Sequence, residues 1–530
     1  MSSTSPAASP VPAPVAASAA AVAQKRGWGP LAVIASAHLM AVLDTTVMFV
    51  ALPSAQHALG LTVTSRQWIV TAYTLALAGL LLLGGRLADR FGARRTLVAG
   101  VAGFALASAA GGAAPDAAML IGARAVQGAF AAVLVSSTKS LLITIYTHDD
   151  ERARVMGVFT ATLTAGMAGG LVLGGVLTTE LGWRWCLYVN VVLSLVVLAA
   201  APRVLPALPG RPEVRIDLVS AALASAGLAA LIYGLGEASA QGWGSAPVGG
   251  SLAGAVVLLA GFAARQARLG GPGRLSHPGR LSHPGRLSRL GRPGRSPRPG
   301  RPATAARAPS PLLPLRIVLE RNRGGGYLAM IVNALSTFGM LLILTYQLQS
   351  VMHYSPLRTG LALISFALAT ATGSAFLAPW LMMRARPRWL ITVSVVAEAA
   401  GLLPLIWLTP HSGYLPLILA ASIIEGLATG VAGPATLNIT LRAVPAGDRG
   451  AASAGSSAVG QLGASIGAAL LNTIAATATA GYLATHGTAS AAAGTVHGFV
   501  VALAWGAVIL LVAAVPIAVC INAPAPRRNR

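Results

Sequence analysis

Residues 84–95 read GGRLADRFGARR. This charged, glycine-bounded stretch lies between two apolar runs of roughly 20 residues each, enough for each to cross a bilayer. A short basic hairpin between two such runs is a loop between membrane spans, and the pattern recurs along the chain. The 530 residues are 55% hydrophobic and only 10% charged, with mean hydropathy +0.70. A soluble chain carries about 25% charged residues. The composition therefore predicts an all-α polytopic membrane protein rather than a domain with an aqueous surface.

Working outward from the hairpin, fourteen apolar segments follow one another. Their cores are 31–52, 68–83, 96–114, 117–142, 155–177, 185–201, 218–235, 248–264, 327–347, 360–383, 389–408, 415–437, 451–480 and 498–521. Orientation is set by lysine and arginine in the loops. With the N-terminus inside, about 33 of the 38 basic residues fall on the cytoplasmic side. Only Arg66, Arg184 and Arg358 fall outside. The expectation is a multi-pass protein of the cell membrane with both termini cytoplasmic. The net charge of +24 is thus a matter of topology rather than of nucleic-acid binding. Cys186 and Cys520 lie in or beside apolar segments far apart, so neither a disulfide framework nor a metal site is expected.

The expected organisation has six parts. A disordered cytoplasmic tail at 1–29 lacks the basic-then-apolar order of a signal peptide. A six-helix bundle at 30–202 and two additional helices at 217–265 follow. Residues 266–323 contain GPGRLS, HPGRLS and GRPGRSPRPGR, a Pro/Gly/Arg-rich composition that cannot bury a core and predicts a disordered cytoplasmic linker. A second six-helix bundle occupies 324–522, and 523–530 form a basic tail. The linker reads first as a solvated connection. Its charge also suits anionic lipid headgroups, at about 1 kcal/mol per basic residue near the surface. No aromatic residues interleave with its arginines, so no nucleic-acid partner is expected. Two six-span halves are the organisation of one large class of secondary transporter.

Charges inside the spans point to function, because a charge at the bilayer centre costs at least about 2.5–3.5 kcal/mol. Asp44 lies in span 1, Arg124 in span 4, Glu398 in span 11 and Glu425 in span 12. Asp44 and Arg124 read as a proton-coupling pair, or as a static pair that fixes helix packing. Glu398 and Glu425 read either as acids that simply face a mobile polar crevice or as substrate-cavity acids, with Tyr73, Gln127, Asn333 and Gln347 as further polar cavity positions. His38 reads as a packing or pore-lining residue, and Lys139 as a snorkelling one. Span 5 contains Gly166, Gly169, Gly170, Gly174 and Gly175, small residues that let helix backbones approach closely. No nucleophile–base set, phosphate loop or metal cluster is visible, so an enzyme is not expected.

Taken together, these motifs resemble the major facilitator superfamily, and within it the fourteen-span drug:proton antiporter family. GGRLADRFGARR is similar to that superfamily's cytoplasmic loop motif, with Gly85, Asp89, Arg90, Gly92, Arg94 and Arg95 in the stretch. RAVQG at 124–128 resembles the span 4 motif, LDTTVMFVALP at 43–53 the span 1 signature, and GMAGGLVLGG at 166–175 the span 5 antiporter motif. WRWCLYVN at 183–190, YSPLRTGLA at 354–362 and VPAGDRGAASAG at 444–455 are further matches. The chain departs from the pattern at Leu171, where span 5 usually has proline, at Phe49, where span 1 usually has asparagine, and at Val192, where span 6 usually has proline.

The resemblance implies a major facilitator fold of two rocking bundles. It implies proton-driven export of lipophilic, cationic or neutral organic compounds such as drugs, antibiotics and dyes. Protons would be the coupling ion, with no cofactor, and a monomer is expected. It further implies that Asp89 acts as a latch by docking near Arg449 and Gly450 at the start of span 13. A dedicated exporter or symporter of one metabolite is the alternative within the transporter class. A membrane-anchored regulatory protein using the basic linker is the alternative outside it.

Overall fold

A computed structural model describes residues 28–146, 149–207, 209–210, 212, 217–269, 318–442, 444, 449–487 and 491–523. The N-terminal tail, most of the linker and the last residues of the C-terminal tail lie outside them. Fourteen long helices make up the described chain. The first eight are α1 (Trp28–Leu59), α2 (Val63–Phe91), α3 (Ala93–Gly112), α4 (Ala117–Ile145), α5 (Asp149–Glu180), α6 (Trp185–Val204), α7 (Leu218–Gln241) and α8 (Ala246–Leu269). The remaining six are α9 (Arg321–Tyr346), α10 (Pro356–Thr372), α11 (Pro387–Leu402), α12 (Leu419–Leu441), α13 (Arg449–His486) and α14 (Ala491–Cys520). Thirteen of them are long and apolar enough to cross a membrane. The other, α5, is 32 residues long and has a charged first turn.

Helices α8 and α9 extend into the stretch read as linker, so the ends of that stretch are helical rather than coil. The opening hairpin also needs correction. Helix α2 continues through Arg86, Asp89 and Arg90 to Phe91, and α3 begins at Ala93. Only Gly92 lies between them. Its φ of +90° is a region that side-chain-bearing residues rarely adopt. The charged residues extend the helix because the headgroup region accepts them, while backbone hydrogen bonding runs on unbroken. Gly92 N–H donates to Ala88 O at 3.0 Å, and Thr96 Oγ1 donates back to Gly92 O at 3.0 Å. Arg94 then ties the corner to the end of α6 through Leu205 O at 3.2 Å. Gly85, Arg86 and Arg94 are half-buried, whereas Asp89, Arg90 and Arg95 are exposed. The proposed dock at Arg449 and Gly450 involves side-chain surroundings, and the neighbouring residues 445–448, that lie outside the described residues.

In the first bundle α1 packs on α5 and α6, α2 on α4, and α3 on α4 and α6. In the second, α9 packs on α12, α13 and α14, α10 on α12, and α11 on α12 and α14. The bundles meet along α2–α13 and α5–α10. Helix α7 packs on its partner α8 and also on both α2 and α13, so it spans the seam between the bundles. Trp68 and Tyr233 approach at 6.2 Å between ring centroids, and Thr473 Oγ1 donates to Leu235 O at 2.9 Å. At the loop end of α7, Asp217 accepts from Ser220 N at 3.1 Å and pairs with Arg265 at 2.9 Å. Burial pushes the Asp217 pKa up, but the hydrogen bonds from Arg265 and Ser220 outweigh it and hold the carboxyl below the ordinary aspartate value.

The span 5 glycines act as a contact strip. A Cβ on Gly166 would lie 2.7 Å from Leu39, and one on Gly174 would lie 2.9 Å from Val47 Cα. Gly170 lies against Thr46 in the same way. All three therefore face α1. Gly175 faces the other bundle instead, where a Cβ would lie 2.7 Å from Leu357 Cα. Leu171, standing where the resembled motif has proline, is buried, and helix α5 runs through it without interruption.

Candidate functional site

The first bundle is built around Asp44. The backbone N–H groups of a helix interior are already bonded, so a carboxylate buried there takes its donors from side chains, here from α4 and α6. Asp44 on α1 and Arg124 on α4 are each 1% exposed. Arg124 Nη1 donates to Asp44 Oδ2 at 2.6 Å. Gln127, one turn along α4, donates Nε2 to Asp44 Oδ1 at 2.8 Å, and Asn190 on α6 donates Nδ2 to the same oxygen at 2.6 Å. The arginine has acceptors of its own: Gln127 Oε1 at 2.5 Å and Ile69 O at 3.3 Å. Its guanidinium also lies 4.2 Å from the centre of the Tyr73 ring. Tyr73 in turn donates its hydroxyl to Ala41 O at 3.2 Å. Ser108 on α3 accepts from Gln127 at 2.8 Å.

The structure thus brings Asp44, Arg124, Tyr73 and Gln127 into one buried network. Asn190 and Ser108 complete it, and sequence reading assigned neither of them a role. Asn190 did carry a signal, as the lone amide in the apolar run of α6. Ser108 carried none among the small residues around it.

The second bundle holds a different arrangement. Asn333 on α9 donates to Glu398 on α11 at 2.5 Å, and Ser336 on α9 donates to Glu425 on α12 at 2.6 Å. Among the described residues neither acid has an ion-pair partner. Gln347 joins neither cluster. It is buried at the end of α9 with no hydrogen-bond partner for its amide group. The six positions read as cavity residues and the Asp44–Arg124 pair are closely packed in this conformation. Seven are buried, and only Asn333 is partly exposed. Packed helices cover these polar groups on all sides, which periodicity along single helices does not reveal.

Contacts between the bundles cluster at the end where α1 stops and α2 starts. Arg66 donates to Asn472 at 2.9 Å, and Asn472 donates to Gln67 at 2.9 Å. Arg66 also stacks on Tyr346 at 3.9 Å. Gln349 donates to Val50 O at 2.8 Å, and Leu357 N–H donates to Thr179 at 3.2 Å. One apolar cluster runs from the second bundle into the ends of α1 and α2 without a break. Near mid-length Ser465 donates to Thr74 at 2.7 Å, and toward the opposite end Lys139 donates to Ser457. His38 is buried in α1. Among the described residues no three histidine, cysteine, aspartate or glutamate side chains gather as a metal site.

Comparison with known proteins gives matches in both sequence and shape. Residues 34–271 match the Major Facilitator Superfamily. The puromycin resistance protein of Streptomyces alboniger is 42% identical over 498 residues, covering 93% of this chain and 90% of that protein. The cephamycin export protein of Amycolatopsis lactamdurans is 36% identical, covering 85% of each chain. A multidrug efflux pump of Mycolicibacterium smegmatis is 30% identical, covering 85% of this chain and 81% of that one. A crystallised bacterial homologue of the human lysosomal transporter Spinster aligns with TM-score 0.59 at 14% identity, covering 92% of this chain and 96% of that one. At that identity the likeness establishes the fold.

Proposed function

Because the chain belongs to the Major Facilitator Superfamily, and is a multi-pass membrane transporter of its drug-efflux type, we propose that it exports lipophilic antibiotic-like compounds, cationic or neutral, in exchange for protons. The observation that supports this most is the 42% identity to a puromycin resistance protein across nearly the whole chain.

In this reading Asp44 is the coupling carboxylate. Its Oδ2 faces a single donor, Arg124, so a proton arriving there competes directly with the guanidinium. A cationic substrate competes for the same charge. Binding of proton and substrate is then linked through one carboxylate. Gln127 and Asn190 hold the other oxygen in place while Oδ2 changes partner. With the N-terminus inside, the well-contacted end of the bundles is the extracellular one. Export then requires the Arg66–Asn472–Gln67 contacts to open, and Asp89 to latch the opposite side.

The test is transport by the full-length protein in proteoliposomes, using puromycin, a cephamycin and ethidium with an imposed pH gradient. Gradient-dependent movement is expected for at least one, and Asp44→Asn should abolish it. If none moves, the drug-export reading is overturned. If the variant keeps substrate-driven proton release, the assignment to Asp44 is overturned. The cephamycin exporter among the relatives favours a second reading, export of one metabolite only. Movement of one probe out of the three would select it.

A further inference from the structure

Glu398 and Glu425 are both 0% exposed, in a part of the second bundle that a membrane would surround. Helix α9 gives each of them one neutral donor on its Oε1 atom. Asn333 and Ser336 are three residues apart, so both project from one face of that helix. The two remaining carboxyl oxygens, Glu398 Oε2 and Glu425 Oε2, are buried and have no partner. Ser422, one turn before Glu425 on α12, is also buried with its hydroxyl unpartnered. Gly401, about one turn past Glu398, brings the helices into contact. A Cβ there would lie 2.8 Å from Glu425 N and 3.1 Å from its Cβ. The turn of α11 that follows Glu398 therefore lies directly against Glu425.

Among the described residues no cation on the surrounding helices pairs with either acid. Arg321 and Arg323 stand at the start of α9 and Arg388 near the start of α11. At 1.5 Å per residue, Arg323 and Arg388 are each roughly 15 Å along their helices from Asn333 and Glu398. Arg442, just past the end of α12, is roughly 25 Å from Glu425 on the same basis. On α10, Arg358 stacks over Tyr354 at 3.9 Å. On α13, Arg449 and His486 stand at the two ends, and His497 of α14 packs against Tyr482 at 5.0 Å. The tyrosines nearby are engaged elsewhere or apolar in effect. Tyr414 donates to Ala362 O at 2.7 Å, Tyr346 lies under Arg66, and Tyr327 is buried near the start of α9.

Two unbalanced charges in a fully buried site cost several kcal/mol each. The counter-ion must also reach oxygens with no exposure. An organic cation cannot do so in this conformation, and among the described residues no third acid, histidine or cysteine completes a metal shell. We propose that Glu398 and Glu425 form a proton-binding pair on their free Oε2 atoms, a second ion site in the carboxyl-terminal bundle, separate from Asp44. The pair takes up and gives off protons as a unit. It rests on the proposed function only in that these protons then exchange during the transport cycle.

Infrared difference spectroscopy of the purified full-length protein in lipid, stepped through pH, reads the carboxylic-acid C=O band directly. Wild type should show the band at neutral pH without any substrate. Glu398→Gln with Glu425→Gln should lose it, and each single substitution should lose part of it. Asp44→Asn should keep it, because the Asp44 carboxylate is already paired with Arg124. Absence of the band in wild type at neutral pH overturns the proposal, whatever the variants do. So does a band that survives the double substitution, or one that sodium ions abolish at constant pH. If the double variant fails to fold, Glu398→Asp serves, since a shifted band supports the assignment and an unmoved one overturns it. Failure of all drug probes to move leaves the band as it is, so the two readings fail separately.

Discussion

Arg124→Leu and Asp44→Asn should destabilise the protein unequally, and the geometry gives the order. Removing one partner of a buried ion pair costs about 3–5 kcal/mol, because the other charge is stranded. In Arg124→Leu the stranded group is Asp44. Its Oδ1 keeps Gln127 and Asn190, but Oδ2 loses its only donor. In Asp44→Asn the stranded group is the guanidinium, which keeps Gln127 Oε1, Ile69 O and the Tyr73 ring. The new amide has one oxygen, which can go on accepting from Gln127 and Asn190, while its NH2 then faces Arg124 and the guanidinium loses that one acceptor. What is lost there is close to one charged hydrogen bond, about 1.5–3 kcal/mol. The double variant has no stranded charge and should be more stable than Arg124→Leu alone, with a coupling energy of about 2 kcal/mol, inside the range for residues in direct contact. Equilibrium unfolding in mixed detergent–SDS micelles, followed by tryptophan fluorescence, measures all four corners of the cycle. A coupling energy below about 0.5 kcal/mol would refute the reasoning, as distant sites add within that margin. An Asp44→Asn protein less stable than Arg124→Leu would refute it equally.

The same assay reads three further substitutions. Asn190→Ala should cost about 1.5–3 kcal/mol, because it removes a donor from a buried carboxylate; a change within error would mean that Gln127 alone satisfies Oδ1. Gly174→Val should cost about 1–3 kcal/mol by forcing α5 off Val47, whereas Gly85→Val, at a position with open space around it, should not. For Asp217 the pH dependence has a definite sign. Its folded-state pKa lies below the ordinary value, so the stabilisation is fully present above about pH 4 and is lost as pH falls below that. Asp217→Asn should flatten this acid limb, and an unchanged limb would show that other carboxyls set it. Finally, a Gln67→Cys, Asn472→Cys pair should cross-link readily under oxidant. In proteoliposomes the cross-link should stop export and a reductant should restore it; export through the cross-linked protein would show that this end does not open.

The thirteen apolar helices were legible because hydrocarbon leaves few choices. A run of some 20 apolar residues has to be helical to satisfy its own backbone. The ends of the spans were not legible in the same way. Arg86, Asp89 and Arg90 look like loop residues by composition, yet they continue α2, since the helix gains hydrogen bonds and the headgroup region accepts the charges. Only the positive φ at Gly92 breaks it. Asp44, Arg124, Glu398 and Glu425 stood out because each is expensive in a bilayer. Which of them meet was not visible. Helices α1 and α6 are apolar on all faces, so no stripe marks the side that turns inward. The contact of Asn190 with Asp44 is set by helix crossing, as is the approach of α11 to α12 at Gly401. Both are tertiary facts that spacing along one helix cannot encode.

The two bundles handle a buried acid in opposite ways, and this bears on how they can be coupled. The Asp44 network is neutral as it stands: one carboxylate, one guanidinium and two amides, with every oxygen of the acid bonded. Nothing in it requires a proton until Arg124 is drawn away. The Glu398–Glu425 site has neutral donors on one oxygen of each acid and nothing on the other. Any step that opens this site to water lowers the cost of charge there and favours proton release. Any step that closes it favours uptake. Helix α9 carries both donors of the acid pair and also packs on α13, which meets α2 across the seam. A rocking motion that separates α2 from α13 therefore acts on the helix that supplies Asn333 and Ser336. The acid pair can in this way sense the position of the bundles without touching Asp44. Neutralising Arg124 and neutralising the two glutamates should then alter proton release independently, so that their combined effect is the sum of the separate ones.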